Sequence, residues 1–273
     1  RSRSGLPFIF NGSGGIWRRE AIEAAGGWQD DTLVEDADLS YRAQIVGYRG
    51  VMLPDVTVPS ELPVQVGVLK QQHFRWAKGG GQILRKLFVP VARSRMPFWK
   101  KAAGMFQLSS YLGHPLIIVL LLVWLPIILH PEWLGGKQLS FMGLAMLGAP
   151  LQFLIAQIVL RRGDLRRMIY VPLLMIVITG MAFNNARAVL QGLLGLKSEF
   201  VRTPKFRLEG AAVNWKLSAY VPPADPTVFG EALMAGYAAF MIFETWRVGS
   251  ASSIPFLLFY AFGFTYVAIG SAV

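Results

Sequence analysis

Between Asn11 and Lys78 the chain carries a glycine-rich turn, an acidic cluster and a basic, aromatic block. These are Asn11-Gly12-Ser13-Gly14-Gly15, Glu35-Asp36-Ala37-Asp38 and Gln71-Gln72-His73-Phe74-Arg75-Trp76-Ala77-Lys78. A carboxylate such as Asp36, held within hydrogen-bonding reach of a hydroxyl, takes its proton as that oxygen attacks. Glu35 and Asp36 are adjacent and point about 100° apart on a helix, which argues against two carboxylates facing one bond as in a hydrolase. The planar fork of Arg75 suits a diphosphate, and Gln72 lies three residues earlier on the same helical face. Trp76 offers a flat apolar surface on which a ring can stack. Adjacent glycines let the backbone at Asn11 and Gly12 come close to a ligand, although their spacing is neither a Rossmann nor a Walker pattern. Together these residues suit transfer of a ring-bearing group from a diphosphate to a hydroxyl. They also fit a plainer arrangement, with Glu35, Asp36 and Asp38 on a solvated helix face and Arg75 and Trp76 as an interfacial anchor. The residues alone leave both open.

The elements that must position these side chains are legible in outline. Phe8-Ile9-Phe10 is a short strand candidate leading into the glycine turn. Ile16 to Ala25 has helical periodicity and is closed by Gly26-Gly27. A second helix is expected from Glu35 to about Val46, with Asp36 and Asp38 near its positive end, where free amides and the dipole favour ionised carboxylates. Gly50 to Val58 alternates as a strand before the loop Pro59-Ser60-Glu61-Leu62-Pro63, which gives α/β grammar. Val64 to Phe88 is a basic amphipathic stretch of the kind that lies in a membrane interface, with Gly79-Gly80-Gly81 expected to interrupt it. Phe98, Trp99, Lys100 and Lys101 extend a basic, aromatic collar.

Beyond it the chain turns apolar. Met105–Leu129 and Phe141–Leu160 are the first expected spans. The arginines between Arg161 and Arg167 fall on the cytosolic side and His130 to Leu139 on the other. Met168–Leu196 has basic segments on both flanks and is broken by Pro172, Gly180 and Asn184-Asn185. A short re-entrant or interfacial pair is therefore preferred there over one crossing. Val228–Trp246 and Ile254–Ile269 form a closing hairpin.

Composition sets the class. Of 273 residues, 53% are hydrophobic and 16% charged, far below the charged share of about 25% in soluble domains. The net charge of +11 is concentrated beside apolar runs, which reads as cytosolic-side anchoring rather than nucleic-acid binding. With no cysteine, a disulfide, a thiolate zinc site and a cysteine nucleophile are all excluded. The three histidines are widely spaced, and no metal ligand is assigned. Arg1 to Pro7 is not a signal-peptide pattern and carries no initiator Met, so the chain is expected to be cut from something longer.

Phe10 to Arg18, the Val34-Glu35-Asp36-Ala37-Asp38-Leu39 block, Ser60-Glu61-Leu62-Pro63 and the Gln72, Arg75, Trp76 spacing, in this order, resemble the membrane-embedded family 2 glycosyltransferases. Cellulose-synthase-like and glucomannan or mannan synthase-like enzymes are the nearest in kind. Glu199 to Phe206 also looks like a cytosolic segment of that group. The resemblance implies an α/β GT-A-type glycosyltransferase domain, present as its C-terminal half only, followed by an all-α transmembrane region. The domains would be 1–63, the end of the catalytic domain, then 64–104, the interfacial helices, then 105–273, with about four spans. It implies that Asp36 is the catalytic base, Val34 standing where the family usually has Thr. Glu35, Asp38, Gln72, Arg75, Trp76, Asn11 and Gly12 would bind substrate. Transfer would run with inversion, from UDP-glucose or GDP-mannose to a growing β-linked glycan, on the cytosolic face of the cell membrane.

A divalent cation, Mg or Mn, is expected to be bound mainly by residues before Phe10. That half would come from a missing N-terminal segment or a partner subunit. The competing expectations are single-sugar transfer to a lipid acceptor and a non-catalytic membrane or transport subunit.

Overall fold

A computed structural model describes residues 4–53, 55–63, 65–130, 148–159, 165–198, 225–249 and 253–272. The chain divides into two compact units, one from Arg1–Pro115 with Asn184–Pro222, the other from Leu116–Phe183 with Pro223–Val273.

The first unit is built on helices α1 (Arg19–Ala24), α2 (Glu35–Ile45), α3 (Val66–Arg93) and α4 (Phe98–Leu108). To these are added the start of α5 (Gly113–Leu129) and most of α8 (Ala182–Leu194). Its core joins Ala37 and Tyr41 of α2 to Ile83, Leu84, Leu87 and Val91 of α3 and Leu108 of α4. The Tyr41 hydroxyl meets the Gly104 carbonyl at 3.1 Å and Gln107 Oε1 at 3.0 Å, so this buried phenol is satisfied.

Three expectations are corrected in this unit. First, α1 begins at Arg19 rather than Ile16, whose side chain is fully exposed. Secondly, α3 runs without a break through Gly79-Gly80-Gly81 for 28 residues. Those glycines are buried because neighbours occupy the place of their side chains. A Cβ on Gly79 would lie 2.6 Å from Val34 Cγ1, and one on Gly81 would lie 2.6 Å from the Val189 carbonyl oxygen of α8. Glycine costs a helix about 1 kcal/mol against alanine; here it allows α2 and α8 to approach the α3 backbone.

Thirdly, the described residues contain no strand. Phe8 to Phe10 is extended, but its backbone groups are taken by a helix. Phe8 N–H donates to Gln44 Oε1 (2.8 Å), Gln44 Nε2 donates to the Phe8 carbonyl (2.6 Å), and Phe10 N–H donates to Ser40 Oγ (2.9 Å). The amide of Gln44 does for Phe8 what a ladder neighbour would do. In the other strand candidate, Val51, Leu53, Val56 and Val58 are exposed and no neighbouring strand takes their backbone groups.

The second unit contains the rest of α5, α6 (Gly148–Val159), α7 (Tyr170–Gly180), α9 (Thr227–Arg247) and α10 (Ile254–Ala272). Leu121, Trp124, Met241, Leu257 and Phe264 lie in its core. Helices α7 and α10 cross at paired glycines, where a Cβ on Gly263 would lie 2.6 Å from the Ile176 carbonyl oxygen. Small residues at such a crossing let backbones pack closely where no water drives helices together. The Tyr260 hydroxyl donates to the Ile117 carbonyl at 3.2 Å.

Among the described residues, three segments are long and apolar enough to cross a membrane: Ser110–Leu129, Thr227–Arg247 and Ile254–Ala272. A fourth is possible by length if α7 and α8, which meet at 50°, make one broken span; a re-entrant loop has the same geometry. The chain is a multi-pass membrane protein. Met105 to Leu108, expected in the first span, belong to α4 instead. Most of the arginine-rich loop expected after the second span and all of Glu199 to Phe206 lie outside the described residues, as does part of Phe141–Leu160.

Candidate active site

The stripe Asp36, Ser40, Gln44 occupies one face of α2, each residue one turn beyond the last. Phe8 and Phe10 alternate along the extended segment opposite, and Gly12 follows in the bend beyond it. Two extended residues advance about 6.6 Å and four helical residues about 6 Å, so the two periods stay in step along their shared length. Gln44 pairs with Phe8 and Ser40 with Phe10. Beyond them, at the bend, Gly12 faces Asp36. There a Cβ on Gly12, which has a φ of +77°, would lie 2.8 Å from Asp36 Oδ2. Any side chain at Gly12 would strain the backbone and crowd the carboxylate.

Helix α3 holds the start of α2 through three further contacts. Leu33 N–H donates to Gln82 Oε1 (2.8 Å), Val34 packs on Gly79, and Lys86 Nζ lies 2.9 Å from Asp38 Oδ1. Lys86 also reaches Asp31 Oδ1 (2.6 Å) and Gln29 Oε1 (2.7 Å). This docking sets Asp36 near Arg75, two turns before Gln82 on α3. The Arg75 guanidinium interacts electrostatically with both Glu35 and Asp36. Burial raises the Asp36 carboxyl above its ordinary range, the Ala37 N–H at 2.8 Å opposes that, Glu35 adds to the rise and Arg75 counters it. The sequence favours an ionised Asp36 at the helix start, whereas burial is the larger influence. Burial also keeps the His73 imidazole below its usual range. The His73 ring lies 5.3 Å from that of Trp76, which is partly exposed.

The structure thus gathers Asp36, Glu35, Gly12 and Arg75. Asn11 is exposed beside Gly12, and Gln72 and Trp76 share α3 with Arg75. Asp38 is not brought to them. Two residues along a helix point nearly opposite ways, and Asp38 is fully buried between Lys86 and Arg42, whose Nε lies 2.8 Å from its Oδ2. The described residues hold no group of three His, Asp or Glu side chains able to bind a metal. With Asp38 engaged by two cations, the acids of this block do not converge as a divalent-cation site.

Four residues near the site carried no functional reading in the sequence. Tyr111 packs its ring on Gly80 and lies within electrostatic range of Asp36. His114 has its ring 6.2 Å from that of Tyr111 and contacts Asn185. Asn184 and Asn185, read as a break in an apolar stretch, are buried on α8. No spacing rule links positions 111–114 to 184–185; only the α3–α8 contact does.

A carboxylate and a guanidinium within electrostatic reach of one another, with an exposed indole on the guanidinium's helix, fit group-transfer chemistry. The profile described as Glycosyl transferase family group 2 matches residues 1–183, and the chain belongs to that family. It is similar to Glucomannan 4-beta-mannosyltransferase 7 of Arabidopsis thaliana, with 31% identity over 96% of this chain and 47% of the relative. It is also similar to Probable glucomannan 4-beta-mannosyltransferase 3 of Oryza sativa subsp. japonica, at 28% over 96% of this chain and 48% of the relative. Probable glucomannan 4-beta-mannosyltransferase 7 of the same rice matches at 48% over 31% of the chain and 14% of its own length. The chain spans about half the length of the relatives that it matches end to end, 47% and 48% of them. No solved structure matches it significantly.

Proposed function

We infer that this chain carries the acceptor-side part of an inverting hexosyltransferase that extends a β-linked polysaccharide at the cytosolic face of the membrane. Asp36 takes the proton of the acceptor hydroxyl as its oxygen attacks the anomeric carbon of a nucleotide-sugar, GDP-mannose or UDP-glucose. The bond to the diphosphate breaks as the new glycosidic bond forms, and the leaving diphosphate takes the electron pair. Arg75 offsets charge on that diphosphate. Trp76 gives the acceptor ring a stacking face, and Gly12 leaves room beside the carboxylate. The donor-binding half of a GT-A-type domain, with its divalent cation, belongs to the complete protein in this reading.

The observation that carries the proposal is Arg75 acting on both Glu35 and Asp36 while Gly12 abuts the Asp36 carboxylate. A base without a nearby cation would have nothing to receive the diphosphate. A raised Asp36 carboxyl is compatible with the role, since a base works best when its pKa approaches the working pH. The test is Asp36→Asn in the complete protein. It should lower sugar transfer by about 10²- to 10⁴-fold while GDP-mannose binding, measured by calorimetry, is kept. Transfer at more than a tenth of the unaltered rate would remove Asp36 from the role.

A further inference from the structure

The side-chain amides of Asn184 and Asn185 are oriented outward from a backbone carbonyl. The Lys70 carbonyl oxygen only accepts, so the Asn184 atom 3.1 Å from it is the donor Nδ2. That same nitrogen lies 3.1 Å from Asn185, which must therefore present Oδ1 to it. The Nδ2 of Asn185 is left facing His114 Nε2 at 3.2 Å. An amide nitrogen only donates, so Nε2 must accept. Imidazole accepts at Nε2 only when neutral with its proton on Nδ1. The relay thus sets the His114 tautomer from a carbonyl three groups away.

The consequence is a donor with nothing to donate to. His114 Nδ1 is buried and has no hydrogen-bond partner among the described residues. Unpaired buried donors are rare in native proteins, and each calls for an acceptor. The surroundings indicate which. Tyr111, beside His114, is within electrostatic range of Asp36, and His73, which acts electrostatically on His114, holds its ring beside Trp76. His114 thus shares its neighbours with Asp36 and Trp76.

We propose that His114 Nδ1–H, held as a donor by the Lys70–Asn184–Asn185 relay, binds a hydroxyl oxygen of the acceptor sugar. This rests on the glycosyl-transfer reading above. His114 exchanges no proton with the substrate; it binds, and the asparagines position it.

Two measurements on the complete protein in lipid nanodiscs test this. In histidine-selective 15N NMR, with the His114 resonance assigned by its loss in His114→Gln, the ring should be neutral with the proton on Nδ1. Asn185→Leu should release it into a tautomer mixture. In kinetics with GDP-mannose and mannotetraose, His114→Gln places its amide near the Nε2 position and loses the Nδ1 donor. It should raise the acceptor KM about three- to tenfold, the worth of one neutral hydrogen bond, with kcat and donor KM little changed. His114→Asn, whose amide nitrogen sits near the Nδ1 position, should recover most of that loss. Asn185→Leu should shift acceptor KM the same way by less.

A proton found on Nε2 in the unaltered protein would overturn the relay. Equal KM increases in His114→Gln and His114→Asn, or an effect on kcat alone, would overturn hydroxyl binding. If the unaltered protein transfers no hexose from any nucleotide donor, the glycosyl-transfer reading fails and the sugar falls with it. The tautomer would then still be judged by the NMR alone.

Discussion

At the scale of single residues, the influences on Asp36 can be separated. Burial and Glu35 raise its carboxyl above the usual value of 3.8, while the Ala37 N–H and Arg75 lower it. The base form is lost as pH falls through that raised pKa, so the acid limb of the kcat/KM profile should lie above the ordinary aspartate range. Glu35→Gln should move the limb to lower pH and Arg75→Leu to higher pH. Both variants shifting it the same way would contradict the arrangement. Asp38 belongs to a different task. Asp38→Asn leaves Lys86 and Arg42 facing a neutral amide, and it should cost roughly 2–4 kcal/mol of stability in a thermal or denaturant titration. That is somewhat less than a fully buried pair, because Lys86 keeps Asp31. Transfer per folded molecule should stay close to that of the unaltered protein. The identities of Asp36, Arg75 and Trp76 as candidates were legible in the chain, because chemistry of this kind needs those residue types. The direction of Asp38 was legible too, from its helical phase against Asp36, but adjacency in sequence makes the block look like one site.

At the scale of elements, the extended segment alongside α2 depends on a shared period. Gln44→Leu would strip the Phe8 N–H and carbonyl of their partners and cost about 1–3 kcal/mol for each group left unpaired. It should also lower kcat more than it changes donor binding, since Gly12 would lose its place beside Asp36; an unchanged kcat would refute the positioning role. The glycine crossing of α3 and α8 is more sharply constrained. A Cβ on Gly192 would lie 3.0 Å from the Gln82 nitrogen and also meets the Lys78 carbonyl. Gly192→Ala should therefore lower stability by about 1–3 kcal/mol, read as a drop in melting temperature in detergent. The α2 and α3 helices could be read from hydrophobic periodicity. The strands at 8–10 and 50–58 could not be judged that way, because alternation reports an extended chain and not what lies beside it. Three consecutive glycines read as a helix break by propensity alone. Their neighbours, Val34, Tyr111 and Val189, are distant in sequence, so the reason for the glycines lay out of view.

For the whole molecule, apolar length was the most readable property, since a span is set by bilayer thickness and needs no partner to be recognised. When expressed, the chain should stay in the membrane pellet after alkaline carbonate washing, and release into the supernatant would contradict the three spans. The pairing of His114 with Asn185 was the least readable, because it joins a helix near the middle of the chain to one more than seventy positions later.

The uninterrupted course of α3 has a mechanical consequence. At 1.5 Å per residue, Arg75 lies about 9 Å from the Gly81 crossing and Arg93 about 18 Å beyond it on the other side. The crossing is a fulcrum, and Arg75 sits on the short arm. A tilt of about 5° about that point would carry the basic end through about 1.6 Å but Arg75 through only about 0.8 Å. Displacement of the far end about the crossing therefore reaches Arg75 at half its amplitude.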